Sequence, residues 1–405
     1  PQLQSKPQPQ LQSKPQPQLQ PTPEVDQPSH LLARKVLHVL KHDLRKNFEM
    51  LWHHKGHRAV ELAVMPQSRT ENGARAFISD LTNPKVSEQL LVYAGTKPTI
   101  TAEPGHVMVS VNLPESEWKP VLLNPQPTWG EHDFVRFPIQ FGVNNRDKPL
   151  CLELGTAISA HCAIVGTTGS GKTSLTHALL INAMLSYSPD DLQFVIIDQQ
   201  RVNHSLFFPS RWAFRGMDVA VTNEQIELTF FAIYQEMEMR EDLFAAAQRE
   251  SGEFIENIAQ YRDYAKRHRK ESLPRVLFLI EEKQKLGKEW NPQIEDLLAT
   301  VRKFGIHLII CSQRSQREEY ISATMKANLN TRIVLKVQTD ADSRALLGDD
   351  RAFSLSKEGD LYFYSDGIIQ RGLGLYCPSE LKSKIVKSTR PEPEPTLHGL
   401  DGDLW

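Results

Sequence analysis

At 405 residues, with 40% hydrophobic and 24% charged side chains, the chain has room for two folded domains plus tails, and this composition excludes a protein that is disordered throughout. A formal net charge of −2 removes any overall basic field, so contact with nucleic acid falls to local patches or to the inner wall of a ring. No apolar run reaches the roughly 18 residues that a membrane span needs, and no signal-peptide pattern opens the chain. A cytoplasmic location is expected. Because the sequence starts in mid-repeat at Pro1 without a methionine, a longer parent with a membrane anchor upstream remains open.

Residues 1–24 repeat PQLQSKPQ, PQLQSKPQ and PQLQPTPE, and residues 1–28 read as an extended Pro/Gln-rich tether. Over 29–58 a basic amphipathic helix is predicted. Leu32, Val36, Val39, Leu40, Leu44, Phe48 and Leu51 recur at helical spacing, opposite Arg34, Lys35, Lys41, Arg45 and Lys46. Packing on the next domain is its simplest role, and docking to an acidic membrane or to DNA is the alternative. Short alternating runs such as His106 to Leu113, broken by Pro and Gly, predict a small α+β domain over 59–145.

From Leu152 onward apolar strands alternate with long helical segments, the pattern of a parallel sheet flanked by helices over 146–387. Strands are predicted at Cys162–Val165, Gln193–Ile197, Val276–Ile280, Ile306–Cys311 and Arg332–Val337. The run Tyr261 to Glu271 is densely basic and carries two tyrosines, and reads as a solvated helix face before a DNA groove. Residues 388–405 form an acidic tail expected to be disordered. The four cysteines show no ligand spacing and are expected reduced and mostly buried.

Chemistry concentrates after the first of these strands. The segment Gly166, Thr167, Thr168, Gly169, Ser170, Gly171, Lys172, Thr173 fits GxxxxGK[ST], with an apolar strand ending at Val165 and a helix starting near Lys172. Its glycines let backbone amides wrap a phosphate chain at the helix N-terminus, Lys172 neutralises phosphate charge, and Thr173 is the Mg²⁺ ligand. ATP is the expected ligand, with Ser174 completing the nucleotide-binding run. Hydrolysis also needs acids on neighbouring strands. VLFLIEE offers Glu281 for the metal and Glu282 for the water; VIID offers Asp198 as the next choice. Gln313 ends the fourth strand, where it can sense the γ-phosphate. Arg302 or Lys303, in VRKFG, is placed to reach a neighbouring subunit's nucleotide or to serve as an exposed solubilising charge.

Taken together, these motifs resemble the FtsK/SpoIIIE family of DNA translocases. The likeness runs from about Leu91 to Cys377. It is carried by VYAGTKPTITAEPGHVMVSVNLP and FPIQFGVNNRDKPLCLEL ahead of the P-loop, and by IIDQQRVNHS, EMEMREDLFAAAQ, GIHLIICSQRS and MKANLNTRIVLKVQTDADSRALL after it. The resemblance implies a RecA-like P-loop NTPase of the ASCE class behind a small accessory domain, and a hexameric ring that moves double-stranded DNA. It also implies that Lys172 and Thr173 hold nucleotide and Mg²⁺, that Glu282 polarises water and that Gln313 senses phosphate. Arg302, with Arg332 as second choice, would act across the subunit interface.

The chain departs from the family pattern at Glu281, where aspartate is usual, and at Lys283, where an apolar residue is usual. Lys283 is expected to pair with one of the two acids and blunt it. No winged-helix domain follows the motor, so loading at a preferred DNA sequence is not expected. A role in chromosome segregation or mobile-element transfer leads. A type VII-like protein-export ATPase and an ATP-binding assembly protein with weak turnover are the alternatives.

Overall fold

The computed structural model describes residues 31–390 apart from 44–47, 67–70, 82, 84–87, 89–90, 93–97, 104–105, 114, 127–134, 157–158, 202, 314–321 and 356–357. The predicted tether and nearly all of the acidic tail lie outside the described residues. The chain divides into two compact units, Pro1–Lys55 with Ala59–Pro114, and Gly56–Arg58 with Glu115–Trp405.

In the first unit, β1 (Phe48–Lys55), β2 (Ala59–Pro66), β3 (Thr99–Glu103) and β4 (His106–Asn112) form an antiparallel sheet in the order β1-β2-β4-β3. Helix α1 (Leu31–His38) buries Leu32, Ala33, Val36 and Leu37, and α2 (Glu71–Leu81) buries Phe77 and Leu81. The helix predicted over 29–58 is therefore much shorter. It passes into a π-turn at Val39–Asp43, and Phe48–Lys55 is a strand, because the aromatic run FEMLWHHK suits a pleated surface and finds β2 as partner.

The second unit is built on a sheet that has ten strands among the described residues. Its strands are β5 (Val121–Leu122), β6 (Pro138–Asn144), β7 (Pro149–Glu153), β8 (Cys162–Val165), β9 (Leu192–Ile197), β10 (Arg275–Ile280), β11 (Ile306–Ser312), β12 (Thr331–Val334), β13 (Asp360–Ser365) and β14 (Ile368–Tyr376). The order is β7-β6-β14-β13-β12-β8-β11-β10-β9, with β5 paired to β14. From β12 to β9 neighbouring strands are parallel, which reproduces the predicted five-strand core; the fifth strand ends at Val334 rather than Val337.

The core strands are buried on both faces, which is why they read as continuous apolar runs. Cys162, Ile164, Phe194, Ile196, Leu277 and Leu279 pack with helix α3 (Lys172–Ser186) and the C-terminal helix α9 (Ser379–Ser388). Their alternates Ala163, Val165, Val195, Ile197, Phe278 and Ile280 pack beneath α4 (Asn223–Ser251), α5 (Ile258–His268) and α6 (Asn291–Thr300). Helix α4 starts with a Thr222/Gln225 capping box and ends at Gly252 in the left-handed region. Two short helices, α7 (Ala323–Asn328) and α8 (Asp340–Leu347), flank β12.

The boundary expected near residue 145 falls instead at 114/115, since β5, β6 and β7 extend the large sheet. Phe137, Ile139, Phe141 and Val143 belong to the same core as α3, and the Phe141 ring meets Phe363 of β13 at 4.9 Å. We predict that Phe141→Ala lowers the unfolding free energy of this unit by about 3–5 kcal/mol, read from urea melts. Loss of less than about 1 kcal/mol would detach β6 from the motor core.

Candidate nucleotide site

The loop Gly166–Gly171 leaves the carboxyl end of β8, and α3 begins directly at Lys172 with no side chain capping its first-turn amides. That is the arrangement in which a helix N-terminus takes an anion. Gly171, at φ 94°, is required twice over, because a Cβ there would meet the Gly359 amide nitrogen at 2.7 Å. The loop is fastened on three sides: Gly166 N–H donates to Ser312 O (3.1 Å), Thr167 N–H to Lys336 O (2.8 Å), and Gly359 N–H to Ser170 O (2.9 Å).

Lys172 is buried and its ammonium donates to Glu281 Oε1 at 3.0 Å, a pair shielded from solvent at both ends. Burial opposes the ammonium, but the neighbouring Cys311 sulfur together with the Glu281 and Glu282 carboxylates outweighs it and holds the Lys172 pKa above the usual lysine value. Lys172 is therefore charged at neutral pH.

Beside this pair Glu282, at φ 49°, turns its carboxylate toward β11, where Gln313 Nε2 donates to Oε1 at 2.5 Å. Thr168 Oγ1 of the P-loop donates in turn to Gln313 Oε1 (3.3 Å). The second Glu282 oxygen accepts from Gln200 Nε2, with Lys285 Nζ at 3.4 Å. A continuous path thus links the P-loop, β11, β10 and the loop after β9.

Gln200, Lys285 and Gln284, which accepts from Ser312 Oγ (3.3 Å), went unrecognised in the sequence. Gln200 stands two residues past the acid that ends β9 and Lys285 three past Glu282, spacings that carry no motif on their own.

Of the other expected residues, Thr173 and Ser174 lie half-exposed in the first turn of α3. Asp198 is spent inside its own loop, accepting from Gln200 N (3.0 Å) and His204 N (3.2 Å) and facing His204 Nδ1 (3.2 Å). Burial would raise its pKa, yet His204 and the loop amides hold it below the usual range.

Arg302 is exposed on the turn preceding β11, at the opposite sheet edge from the P-loop, and is not brought to this chain's own site. Arg332 gives its guanidinium to Leu329 O (3.0 Å), Leu346 O (2.8 Å) and Lys326 O (3.3 Å) and is not brought to the site.

The basic run on α5 is matched by acids: Arg262 with Asp191, Arg267 with Glu253 and Asp263, Lys270 with Glu250. The cysteines are all free, three of them buried. No helix of the described residues is long and apolar enough to cross a membrane.

Lys283 corrects an expectation, since it pairs with neither acid. It is fully buried and its Nζ donates to Leu286 O at 3.4 Å. The turn at Glu282 sends consecutive side chains to different sides.

The site residues fit a nucleotide–Mg²⁺ complex: Ser170 Oγ and Glu281 Oε2 are buried there without a hydrogen-bond partner, and the uncapped helix end adds anion-binding amides. Among the described residues no group of three or more His, Cys, Asp or Glu side chains forms a metal site by itself.

Comparison with known proteins decides the family. The FtsK/SpoIIIE family model matches residues 122–353, more than half of the chain. The chain belongs to the FtsK/SpoIIIE family. The DNA translocase FtsK of Clostridium tetani is 27% identical over 290 residues, covering 70% of this chain and 38% of its own length. That of Chlorobaculum tepidum is 28% identical over 278 residues, covering 65% and 33%. The chain thus spans about a third of the length of these curated relatives.

Among solved structures, the cytoplasmic domain of the Thermomonospora curvata type VII secretion ATPase EccC superposes with a TM-score of 0.55 at 20% identity, covering 68% of this chain and 34% of its own. The pCW3 conjugation coupling protein TcpA, in a monomer form with ATPγS, gives 0.55 at 17%, covering 87% and 98%. Both are likenesses of fold, that of P-loop ATPases.

Burial pulls the Lys283 pKa down to about 8, with Glu289 and Glu295 opposing. Between that value and the ordinary 10.5 the unfolded chain keeps a proton that the native chain has shed, so stability rises with pH in this window. We predict that Lys283→Met raises stability at pH 7 by about 1–3 kcal/mol and flattens that rise, measured by urea denaturation from pH 7 to 10.

Proposed function

We propose that the chain is an ATP-driven double-stranded DNA translocase working as a hexameric ring, in chromosome segregation or mobile-element transfer. The observation that carries this reading is the path Thr168–Gln313–Glu282 beside the Lys172–Glu281 pair, which joins phosphate binding to a candidate water-activating carboxylate. Family membership and relatives that are themselves DNA translocases supply the substrate.

In this reading the P-loop amides and Lys172 hold the ATP phosphates, while Thr173 and Glu281 would hold Mg²⁺ and its water shell. The ion, when bound, neutralises charge on the phosphates. Glu282 orients a water and takes its proton as the water oxygen attacks the γ-phosphorus and the bond to the bridging oxygen breaks, releasing ADP. Gln313 touches both Thr168 and Glu282, so it can report the γ-phosphate to the acid. Arg302, at the far sheet edge, serves the neighbouring subunit's nucleotide.

ATP turnover is expected to rise on adding linear duplex DNA. A rate indifferent to DNA moves the reading to protein export, and no turnover at all to a nucleotide-gated assembly protein. Lys172→Ala is predicted to abolish binding of a fluorescent ATP analogue. Glu282→Gln should keep that binding and lose turnover by about 100-fold or more. Normal turnover in Glu282→Gln would remove the acid from the chemistry.

A further inference from the structure

The loop after β9 gathers buried polar side chains to which the proposed hydrolysis gives no task. Asp198 and His204 are both fully buried. His204 packs edge-to-face on His177 of α3 at 5.1 Å. His177 Nε2 donates to Asn203 O at 2.7 Å, and its Nδ1 accepts from Lys382 Nζ of α9 at 2.9 Å. Those two partners require a neutral ring with its proton on Nε2. Burial, with His204 and Lys382 adding to it, pushes the His177 pKa down to about 3. The loop is thus pinned from two sides. Asp198 gathers Gln200 N and His204 N, and His177 ties Asn203 to the helix that begins at the P-loop.

What this loop presents to the nucleotide site is one amide. Gln200 precedes a left-handed turn at Arg201 (φ 65°), and its Oε1 accepts from Asn203 Nδ2 at 3.5 Å. That contact leaves the Nε2 end facing Glu282, where it donates to Oε2. Gln313 already holds the other Glu282 oxygen at 2.5 Å. One contact alone leaves a carboxylate on a long side chain free to rotate about it, whereas a second contact on the other oxygen fixes its plane. Lys285 Nζ also lies 3.4 Å from Oε2, but on a side chain half in solvent, where the attraction is screened. Gln200 is half-buried and uncharged, so it orients the acid and leaves the negative charge in place.

We propose that Gln200 is a positioning residue for ATP hydrolysis, locking the Glu282 carboxylate in the orientation from which it takes the proton of the attacking water. The proposal rests on the assignment of Glu282 to that water. A general base must lie within hydrogen-bond reach of its proton at a set angle, and a small misplacement lowers the rate of the chemical step. Gln200 stands on the β9 loop rather than the P-loop, so the hold on nucleotide is spared.

The test is ATP turnover by the full chain with linear duplex DNA, read beside binding of a fluorescent ATP analogue. Gln200→Ala is expected to lower kcat by about 10- to 30-fold, with KM and analogue binding within about twofold of the unsubstituted chain. Gln200→Glu has the same shape without the donor and is expected to fall at least as far, which separates the hydrogen bond from packing. A double-mutant cycle under single-turnover conditions decides the route. With Glu282→Gln already present, Gln200→Ala costs less than about twofold, because the group it positions is gone. A Gln200→Ala kcat close to that of the unsubstituted chain, while Glu282→Gln is inactive, overturns the proposal and leaves the assignment of Glu282 intact. So does loss of analogue binding in Gln200→Ala, or the full penalty repeated beside Glu282→Gln, either of which reduces Gln200 to a structural part of its loop. Normal turnover in Glu282→Gln removes the assignment itself, and the proposal with it.

Discussion

One strand stands between the two halves of the nucleotide site, and the geometry follows from it. β11 separates the P-loop strand β8 from the acid-bearing β10, so the two backbones lie two sheet spacings apart, about 10 Å. Only long side chains close that distance. Lys172 and Glu281 meet at 3.0 Å, and the extra methylene of glutamate extends the reach. The residue that ends the intervening strand, Gln313, then lies where one amide can touch Thr168 on one side and Glu282 on the other. Connectivity, rather than any single loop, brings these groups together.

The sheet also fixes what the site rests on. The P-loop is fastened to β11 through Gly166, to the end of β12 through Thr167, and to the residue preceding β13 through Ser170. β13 is held in turn by the Arg371–Asp360 pair, buried at 2.7 Å, and by antiparallel pairing with β14, against which β5 and β6 lie. Strands far from the nucleotide therefore support the loop that would cradle it. The charge on α5 has a different fate, because local ion pairs answer its basic side chains and reduce the field that helix projects.

Much of this was legible in the sequence where one local signal sufficed. The P-loop, the five parallel strands and the acids at 281 and 282 each announce themselves by pattern, and the structure places them at one sheet edge. What could not be read depends on partners distant in the chain. Phe48–Lys55 has the apolar content of a helix continuation and becomes a strand because β2 pairs with it. β6 and β7 look like part of the preceding domain until β14, more than two hundred residues later, offers an edge. Lys283 follows two acids yet avoids both, since the positive φ at Glu282 re-aims the chain. Gln200 acquires its role only when β9 and β10 lie side by side.

The Lys172–Glu281 pair has a consequence for any polyphosphate that enters the loop. The ammonium it seeks is already occupied by a carboxylate from the same chain, in a site with almost no solvent to compensate the exchange. Glu281 is thus a resident competitor at fixed, very high effective concentration. The free energy of binding is a difference between two ion pairs rather than the creation of one, and departure is correspondingly eased because the lysine never has to be left bare.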